Sequence, residues 1–373
     1  MMKTVQLGDV AVYVNEKIGV NQLKIEDYVS TENMLPNKAG MGTATKMPAS
    51  GKVTKYKIED VLVSNIRPYF KKIWFADKSG GASNDVLVFR PKVGNLIPRY
   101  LKYILADDKF FAFSTASSSG AKMPRGDKAQ IMKYPVYLPD PNLQKKIADI
   151  LGTIDEKIEL NRKMNETLEQ IGQTLFRHYF IDNPKKERWQ EVEIDNLFEI
   201  IMGQSPPGSS YNALREGIVF YQGRTEFGLR FPTERLYTTG PKRYAKKGDT
   251  LLSVRAPVGD INQALQNCCI GRGLAAISSR NGMNSFCYYA CRGLLQHRLL
   301  EFNSEGTVFG AINAKQLKSL KTKRPPEILM NEFEASASVI DSQILCSFQE
   351  IQTLTTLRDT LLPKLVSGKV KLD

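Results

Sequence analysis

The sequence predicts an α+β fold in which two mixed α/β globular segments, related by an internal duplication, are separated by two long antiparallel helices that form a coiled coil. Three observations predict this arrangement. Apolar residues recur every three or four positions through residues 143–180 without a proline, the pattern of one long amphipathic helix. The same pattern returns at 328–365. The two runs align at an offset of 186 positions, about half the chain, and Pro139 thereby falls on Pro325.

The first of these runs is too long to be covered by one small domain. At about 1.5 Å per residue it would extend for roughly 57 Å, so we expect the second run to pair with it along its length. The residues expected at the interface between the two helices are Leu143, Ile147, Ile150, Ile154, Ile158, Leu168, Leu175, Phe333, Ile340, Ile344, Ile351, Leu354 and Leu361. Asn161 and Asn165 fall on the same stripe, where a buried asparagine would fix the helix register; exposure at the helix edge is the alternative.

These patterns divide the chain into four segments. Residues 1–140 are the first globular segment and 141–181 are the first long helix. Residues 182–325 are the second globular segment and 326–373 are the second long helix. Each half of the chain is thus a globular segment followed by a long helix.

The first globular segment mixes short strands with turns and a little helix. Residues 60–65 and 84–90 read as buried strands, 99–106 as a short amphipathic helix, and 134–139 as a last strand before the long helix. The loop at 114–127 is rich in Ser and Gly and carries two cations. Such a loop can bring backbone amides and basic groups to phosphates, although the same composition suits any solvated loop.

The second globular segment repeats this order. Residues 248–255 match 58–65, 273–278 match the second predicted strand, 285–300 resemble a helix, and 305–313 stand where the Ser/Gly loop stood. The loops differ almost completely between the two halves. A duplicated scaffold with divergent loops is suited to reading two different targets.

The positive charge of the chain is confined to the two globular segments. Residues 1–140 carry 21 Lys and Arg against 13 Asp and Glu, and residues 182–325 carry the same numbers. The first long helix is balanced, and the second has a small acidic excess. Two equally basic segments suggest one polyanion that is contacted twice; general surface basicity, which favours solubility, is the alternative.

The composition excludes several classes of protein. The chain is 42% hydrophobic and 24% charged, and no stretch approaches the roughly 18 uninterrupted apolar residues of a membrane span. Its start lacks the apolar core of a signal peptide. The five cysteines are odd in number and do not suggest a disulfide framework, so we expect a reducing, cytoplasmic environment.

No catalytic motif stands out. A phosphate-binding Gly-rich loop with Lys and Ser or Thr is absent. Residues 205–208 (SPPG) are similar to the methyltransferase motif that ends in an aromatic residue, but Gly208 takes the aromatic position. Cys287 and Cys291 have no second pair to complete a zinc site and are better explained as small core residues. We therefore expect no catalytic residue and no metal site in this chain.

Several motifs resemble those of type I restriction–modification specificity subunits. In the first long helix they are residues 147–162 (IADILGTIDEKIELNR) and 175–180 (LFRHYF), and at the end of the second helix residues 361–368 (LLPKLVSG). The second globular segment carries 204–208 (QSPPG) and 253–260 (SVRAPVGD). The resemblance covers the whole chain, in plan for the first globular segment and in detail for the second.

The resemblance implies a non-catalytic subunit with two target-recognition domains. Each domain would read one half of a bipartite site in double-stranded DNA, and the helix pair would act as a ruler for the unread spacer. Two methyltransferase subunits, and two restriction subunits, would be its partners. S-adenosylmethionine, ATP and Mg would be bound by those partners, so that this chain itself takes no cofactor.

Basic and aromatic side chains near Gly or Pro at predicted loop positions are the candidates for DNA contacts. In the first segment these are Lys46, Lys52, Arg67, Tyr69, Lys71, Lys122 and Arg125, and in the second Arg224, Arg230, Arg243, Arg255 and Arg272. Arginine is favoured for bidentate contacts to guanine. For each residue taken alone, a solvated surface charge is the alternative.

Three other functions stay open on the sequence alone. The first is an autonomous bipartite DNA-binding protein or regulator without enzyme partners. The second is a nuclease or methyltransferase that acts by itself. The third is a structural adaptor whose helices bind protein and whose basic faces are incidental.

Overall fold

The computed structural model describes residues 4–370 apart from 93, 95, 121 and 303–309. It consists of two compact units. The first unit combines Met1–Glu159 with Ile351–Asp373, and the second is Leu160–Glu350. Two long helices, Pro141–Phe176 and Glu327–Val366, each contribute residues to both units. The C-terminal part of the chain therefore completes the unit that the N-terminal part begins.

The first unit contains three small sheets and four short α-helices within the described residues. Its strands are β1 (Thr4–Gln6), β2 (Ala11–Tyr13), β3 (Lys17–Gly19), β4 (Tyr28–Val29), β5 (Lys52–Tyr56), β6 (Val61–Ser64), β7 (Ile73–Phe75), β8 (Gly80–Ala82), β9 (Val86–Pro91) and β10 (Pro135–Tyr137). Its short helices are α1 (Leu7–Val10), α2 (Pro98–Ala106), α3 (Asp108–Ala116) and α4 (Lys128–Ile131), and the first long helix is α5 (Pro141–Phe176). The sheets have the strand orders β1-β10, β2-β9-β6-β7 and β3-β5-β8-β4.

The core of the first unit lies between the sheet β2-β9-β6-β7 and the long helices. Val61 and Phe89 from that sheet pack in one cluster with Leu101 and neighbouring residues of α2. The same cluster contains Leu151 of α5 and Leu365, which belongs to the second long helix. Burial of this apolar surface holds α2 and the helix pair onto the sheet.

The second unit repeats this plan with one more strand. Its strands are β11 (Glu191–Glu193), β12 (Phe198–Met202), β13 (Tyr211–Asn212), β14 (Ile218–Tyr221), β15 (Leu236–Thr238), β16 (Tyr244–Ala245), β17 (Thr250–Ser253), β18 (Ile261–Gln263), β19 (Cys268–Ile270), β20 (Leu274–Ser279) and β21 (Lys321–Lys323). Its helices are α6 (Asn284–Ala290), α7 (Gln296–Glu301), α8 (Ala314–Lys318) and the second long helix α9 (Glu327–Val366). The strand orders are β11-β21, β12-β20-β17-β18 and β13-β15-β14-β19-β16.

The predicted duplication and α+β class are confirmed by matching sheets. In β2-β9-β6-β7 and β12-β20-β17-β18, corresponding strands occupy corresponding places and all neighbours are antiparallel. The strands predicted at 60–65 and 84–90 are β6 and β9. The remaining larger sheet has four strands in the first unit and five in the second, as expected for halves that diverge outside the scaffold. Of the stretch predicted to replace the Ser/Gly loop, residues 305–309 lie outside the described residues.

The two long helices run antiparallel, as predicted. In the second unit Asn161 Nδ2 donates to Glu350 Oε2 over 2.8 Å. The rings of Phe176 and Phe333 lie 5.4 Å apart. Phe176 is fifteen positions after Asn161 in α5, whereas Phe333 is seventeen positions before Glu350 in α9. Residues further along α5 therefore contact residues nearer the start of α9.

The predicted interface residues differ in burial. Ile147, Ile158, Phe333 and Ile344 are buried, and Leu143, Ile154, Leu168, Leu175, Ile340, Ile351, Leu354 and Leu361 are half-buried. The prediction for Ile150 is wrong, because its side chain is 38% exposed. In that turn the buried positions of α5 are Ala148 and Leu151, and the 3.6-residue period of the helix leaves Ile150 on the outer face.

The buried face of α5 is also more polar than an apolar seam would be. Gln144, Asn161, Asn165 and Glu169 are all buried. Gln144 accepts from Ile97 N over 2.9 Å and donates to Pro139 O over 2.9 Å. The burial of Asn161 and Asn165 contradicts the alternative that they lie at an exposed helix edge. Since buried polar groups need partners, these residues restrict how the helix can pack.

Candidate nucleic-acid interface

Five of the seven candidates in the first unit come together on adjacent loops. Arg67 N donates to Pro124 O over 2.8 Å, and its guanidinium to Lys122 O over 3.3 Å. A β-bridge joins the neighbouring Ile66 to Arg125. The predicted Ser/Gly loop is thereby fastened to the turn that follows β6. We call the exposed side of these two segments the first loop surface; its members are Arg67, Tyr69, Lys71, Lys122 and Arg125.

This surface combines cations with an exposed aromatic pair. Tyr69 and Phe70 are 48% and 40% exposed, and their ring centroids lie 4.8 Å apart. Arg125 Nη2 lies 2.9 Å from Asp85 Oδ1, with most of the Arg125 side chain exposed. Exposed aromatic rings beside arginines are suited to stacking and to hydrogen bonding with base edges and phosphates. Phe70 was not among the sequence candidates, although its position next to Tyr69 in a basic turn was a usable signal.

The backbone of the first loop surface is held in an unusual conformation. Arg67 and Lys71, on either side of the turn Pro68–Phe70, have φ values of 49° and 52°. Left-handed backbone is uncommon for residues other than glycine and persists only where surrounding contacts maintain it. The conformation of this turn therefore depends on its neighbours.

Lys46 and Lys52 lie elsewhere in the first unit. Both are exposed. Lys52 begins β5 and is paired with Gly19 of β3, and Lys46 lies in the segment before β5. Lys52 thus belongs to the sheet β3-β5-β8-β4, whereas the first loop surface follows β6 of the other four-stranded sheet. These two lysines therefore lie on different elements from the other five candidates.

Four arginines of the second unit gather where two parallel strands end. β14 and β19 are parallel, and Arg224 and Arg272 lie in the loops that follow them. Arg243 O accepts from Ile270 N over 3.0 Å at the end of β19. The neighbouring Val254 N donates to Gly273 O over 2.9 Å, which brings Arg255 to the same place. We call Arg224, Arg243, Arg255 and Arg272, all exposed, the second loop surface.

Close backbone approach explains the glycines around this surface. A side chain at Gly203 would place its Cβ 2.1 Å from Gly271 O, and one at Gly273 would place it 2.7 Å from Gln222 O. Ser205, in the SPPG motif, accepts from Arg272 N over 3.3 Å through Oγ. Arg224 pairs with Asp260 at 2.5 Å while about half its side chain stays exposed. The motif set aside as a methyltransferase site is therefore part of the loop packing that positions Arg272.

The prediction that Arg230 contacts DNA is wrong. Its side chain is only 2% exposed. Its Nη1 donates to Glu169 Oε2 over 2.9 Å. Its Nη2 lies 2.8 Å from Asp341 Oδ2, an ion pair that lacks the alignment of a hydrogen bond. The guanidinium carbon lies 3.3 Å from the ring centroid of Tyr288. Burial alone would lower the pKa of Arg230, but Tyr288 and the two carboxylates outweigh it and raise that pKa. Arg230 joins the globular part of the second unit to α5 and α9.

A related cluster occupies the corresponding place in the first unit. Tyr103 donates to Asp155 of α5 over 2.9 Å, and Tyr289 donates to Asp341 of α9 over 3.0 Å. Both members of the second pair are 186 positions after those of the first. In the first unit two cations face the Asp155 carboxylate: Lys102 at 2.5 Å and Arg358 at 3.1 Å. Each globular part is thus anchored to a long helix by an equivalent tyrosine–carboxylate bond, which the sequence analysis missed.

No helix within the described ranges is both long enough and apolar enough to cross a membrane. The long helices α5 and α9 carry charged residues throughout.

Comparisons with known proteins agree with this architecture. The model of the family described as type I restriction modification DNA specificity domain matches residues 2–170 and 186–334. The putative type I restriction enzyme MjaX specificity subunit of Methanocaldococcus jannaschii is 33% identical over 304 residues, which cover 77% of this chain and 71% of that protein. The MjaIX specificity subunit of the same organism is 23% identical over 315 residues, covering 76% of this chain and 71% of that one.

A solved structure shows the same fold. The S subunit of a type I restriction–modification system from M. genitalium superimposes with a TM-score of 0.58 over 100% of this chain and 97% of that chain, at 16% sequence identity. The structural and sequence findings lead to one assignment. The structure has two matching sheets and two antiparallel long helices, and the sequence matches the family model over most of its length and one relative at 33% identity. The chain belongs to the family of type I restriction–modification DNA specificity subunits.

Proposed function

We propose that this chain is the DNA-recognition subunit of a type I restriction–modification complex and that it reads a bipartite target, one half-site with each loop surface. The observation that carries the proposal is the duplication of the globular part, each copy of which presents its own set of exposed cations on its loops. The family assignment does not favour an autonomous regulator. The paired helices α5 and α9 would set the length of the unread spacer.

Affinity and specificity would come from different side chains. Lysines and arginines that neutralise phosphates would supply most of the affinity, which should fall steeply as salt rises. Specificity would come from the few side chains that reach base edges in the major groove, such as Arg255 and Arg272. Tyr69 would add stacking or apolar contacts. Lys46 and Lys52, which lie on other elements than the first loop surface, would contact phosphates.

We further propose that the chemistry belongs to partner subunits. Two methyltransferase subunits would bind S-adenosylmethionine, and two restriction subunits would use ATP and Mg. The chain itself would bind DNA and these partners and would carry out no reaction. Its membership of the specificity-subunit family supports this division of labour.

Mapping DNA methylation in cells with and without this chain tests the proposal. Methylation of one split motif, two short defined halves around a spacer of fixed length, should vanish when the gene is deleted and return with it. An unchanged methylation pattern, or loss of a continuous motif, would contradict bipartite reading. Turnover of S-adenosylmethionine or cleavage of DNA by the isolated chain would contradict the absence of catalysis.

A further inference from the structure

A half-buried lysine, Lys38, lies next to the turn of the first loop surface. Lys38 Nζ is 3.1 Å from Asp108 Oδ1 and 3.5 Å from Asp359 Oδ1, and its side chain is only 11% exposed. Asp108 begins α3, and Asp359 is a residue of α9 within the first unit. A lysine enclosed between two carboxylates is poorly placed to contact a phosphate. Its charge instead bridges a globular element and a long helix.

The loop that carries Lys38 is hydrogen-bonded to the turn of the first loop surface. Asn37 N donates to Phe70 O over 2.8 Å, and Lys38 N donates to Lys71 O over 2.9 Å. Asn37 and Lys38 have φ values of 56° and 61°. Two left-handed turns therefore support each other, and a shift of one moves the other.

The side chains continue this connection. Lys71 Nζ lies 2.9 Å from Asp108 Oδ2, so that Lys38 and Lys71 share one carboxylate. Burial raises the pKa of the Asp108 carboxyl, but the two lysines outweigh burial and lower that pKa. Through Asp108, the Lys38 ammonium links the Lys71 ammonium to Asp359 of α9.

On the other side, Asp359 belongs to the cluster that joins the long helices. Arg358 Nη2 donates to Asp359 Oδ1 over 2.9 Å, and Arg358 Nη1 donates to Asp155 Oδ1 of α5 over 3.1 Å. Charged contacts thus run without a break from α5, through α9, to the turn that presents Tyr69.

We propose that Lys38 and Asp359 are positioning residues for DNA readout: their ion pair ties the first loop surface to α9 and so determines which bases that surface accepts. The inference rests on the proposed function, since it assumes that this surface reads one half-site. Under this proposal, base specificity in that half-site depends on Asp359, a residue of α9 far along the chain that does not itself contact DNA.

The test uses the full chain in its complex with the methyltransferase subunits and a library in which each base of both half-sites is varied. The variants are Lys38→Met, Asp359→Asn and their combination. Each should lower discrimination about fivefold, and in one and the same half of the motif. The other half should keep its bases. The double variant should lose no more than the larger single loss, because both changes break one interaction.

Asp149→Asn is the matched control. It removes a carboxylate from α5 that pairs with Lys145 at 2.7 Å on an exposed face of the same unit, and it should leave both halves of the motif unchanged. Unfolding temperatures of all variants, measured in parallel, show whether each chain is folded.

Four results would overturn the inference. Unchanged discrimination in both single variants would remove the positioning role. Relaxation by Lys38→Met alone would show that Lys38 acts through Asp108 and not through α9. Equal weakening on every sequence would make Lys38 a phosphate contact, and equal loss of methylation at all sites would assign the ion pair to folding. A wild-type complex that reads no split motif would refute the proposed function instead.

Discussion

At the scale of single residues, Arg230 and Arg272 show why basic loop residues cannot be sorted by sequence. Both follow a glycine closely in the second unit. Arg272 is exposed on the second loop surface, whereas Arg230 is buried against Glu169 and Asp341. The partners of Arg230 lie 61 positions before it and more than a hundred after it. No local sequence pattern indicates partners that are so distant in the chain.

Replacing Arg230 with Met should destabilise the second unit. The change leaves Glu169 and Asp341 buried with less compensation, which costs about 3 kcal/mol, at the low end for a broken buried pair because Arg292 lies close by. Urea unfolding measures the loss. Arg177→Met is the control, because Arg177 and its partner Asp182, 2.8 Å away in the same unit, are both exposed, and it should change the free energy of unfolding by less than about 1 kcal/mol. Equal effects of the two changes would contradict the assigned role of Arg230.

Arg255→Ala and Arg272→Ala should each weaken binding only on DNA with the correct second half-site. Loss of one good base contact costs about 1–3 kcal/mol. Binding of the assembled complex to cognate DNA and to DNA altered in one half-site at a time measures the loss. An equal loss on random DNA would instead make the arginine a phosphate contact, and the slope of affinity against salt would then fall as well.

At the scale of elements, α5 contains two glycines that have different neighbours. A Cβ at Gly172 would lie 2.1 Å from the hydroxyl of Tyr289, which is buried and bonded to Asp341. A Cβ at Gly152 would meet only the end of the Arg99 side chain, 2.4 Å from Nη2, and that side chain is 36% exposed. A flexible arginine can move away, but a packed ring cannot.

Gly172→Ala and Gly152→Ala therefore form a matched pair. Both gain about 1 kcal/mol of helix propensity, but overpacking against Tyr289 costs about 1–3 kcal/mol. We expect Gly152→Ala to raise the free energy of unfolding and Gly172→Ala to lower it in denaturant titrations. A gain in both variants would show that Tyr289 is not held where the structure places it.

The charged cluster at Asp155 predicts a dependence on pH. Burial raises the pKa of the Asp155 carboxyl, but Lys102 and Arg358 outweigh burial and bring that pKa below its ordinary value of 3.8. A lowered pKa in the folded state means that the carboxylate stabilises the fold above 3.8, and that this contribution is lost as pH falls through the lowered pKa.

Asp155→Asn should therefore lower the free energy of unfolding by a constant amount between about pH 5 and pH 8. The difference from the wild type should shrink below 3.8, as the wild-type carboxylate becomes protonated. Urea unfolding of both proteins across this range measures it. A difference that stays constant at acid pH would mean that the charge of Asp155 is not what stabilises the fold.

At the scale of the whole molecule, the two long helices are the elements that both units share. The C-terminal segment Ile351–Asp373 belongs to the first unit together with the N-terminal 159 residues. The globular part of each unit therefore folds against helix segments from both halves of the chain. The shared helices are also the elements on which the proposed spacer depends.

Removing two turns, about seven residues, from α5 near Asn161 and two from α9 near Ser347 should shorten the preferred spacer. Both half-sites should keep their sequences, because the loop surfaces are untouched. Methylation by the assembled complex on DNA with spacers of every length measures the preference. An unchanged spacer would reject the helix pair as its determinant, and removal from one helix alone, which breaks the pairing, serves as the control.

The sequence by itself determined the duplication, the two long helices, the α+β class and the equal division of positive charge, because repeats, periodicity and composition are properties of the chain read in order. Most of the candidates that it selected for DNA contacts are exposed. Tertiary structure alone decided that Ile150 faces outward, that Arg230 is buried, and that Lys38 lies between α3 and α9. These outcomes depend on contacts between side chains far apart in the chain, which local patterns do not record.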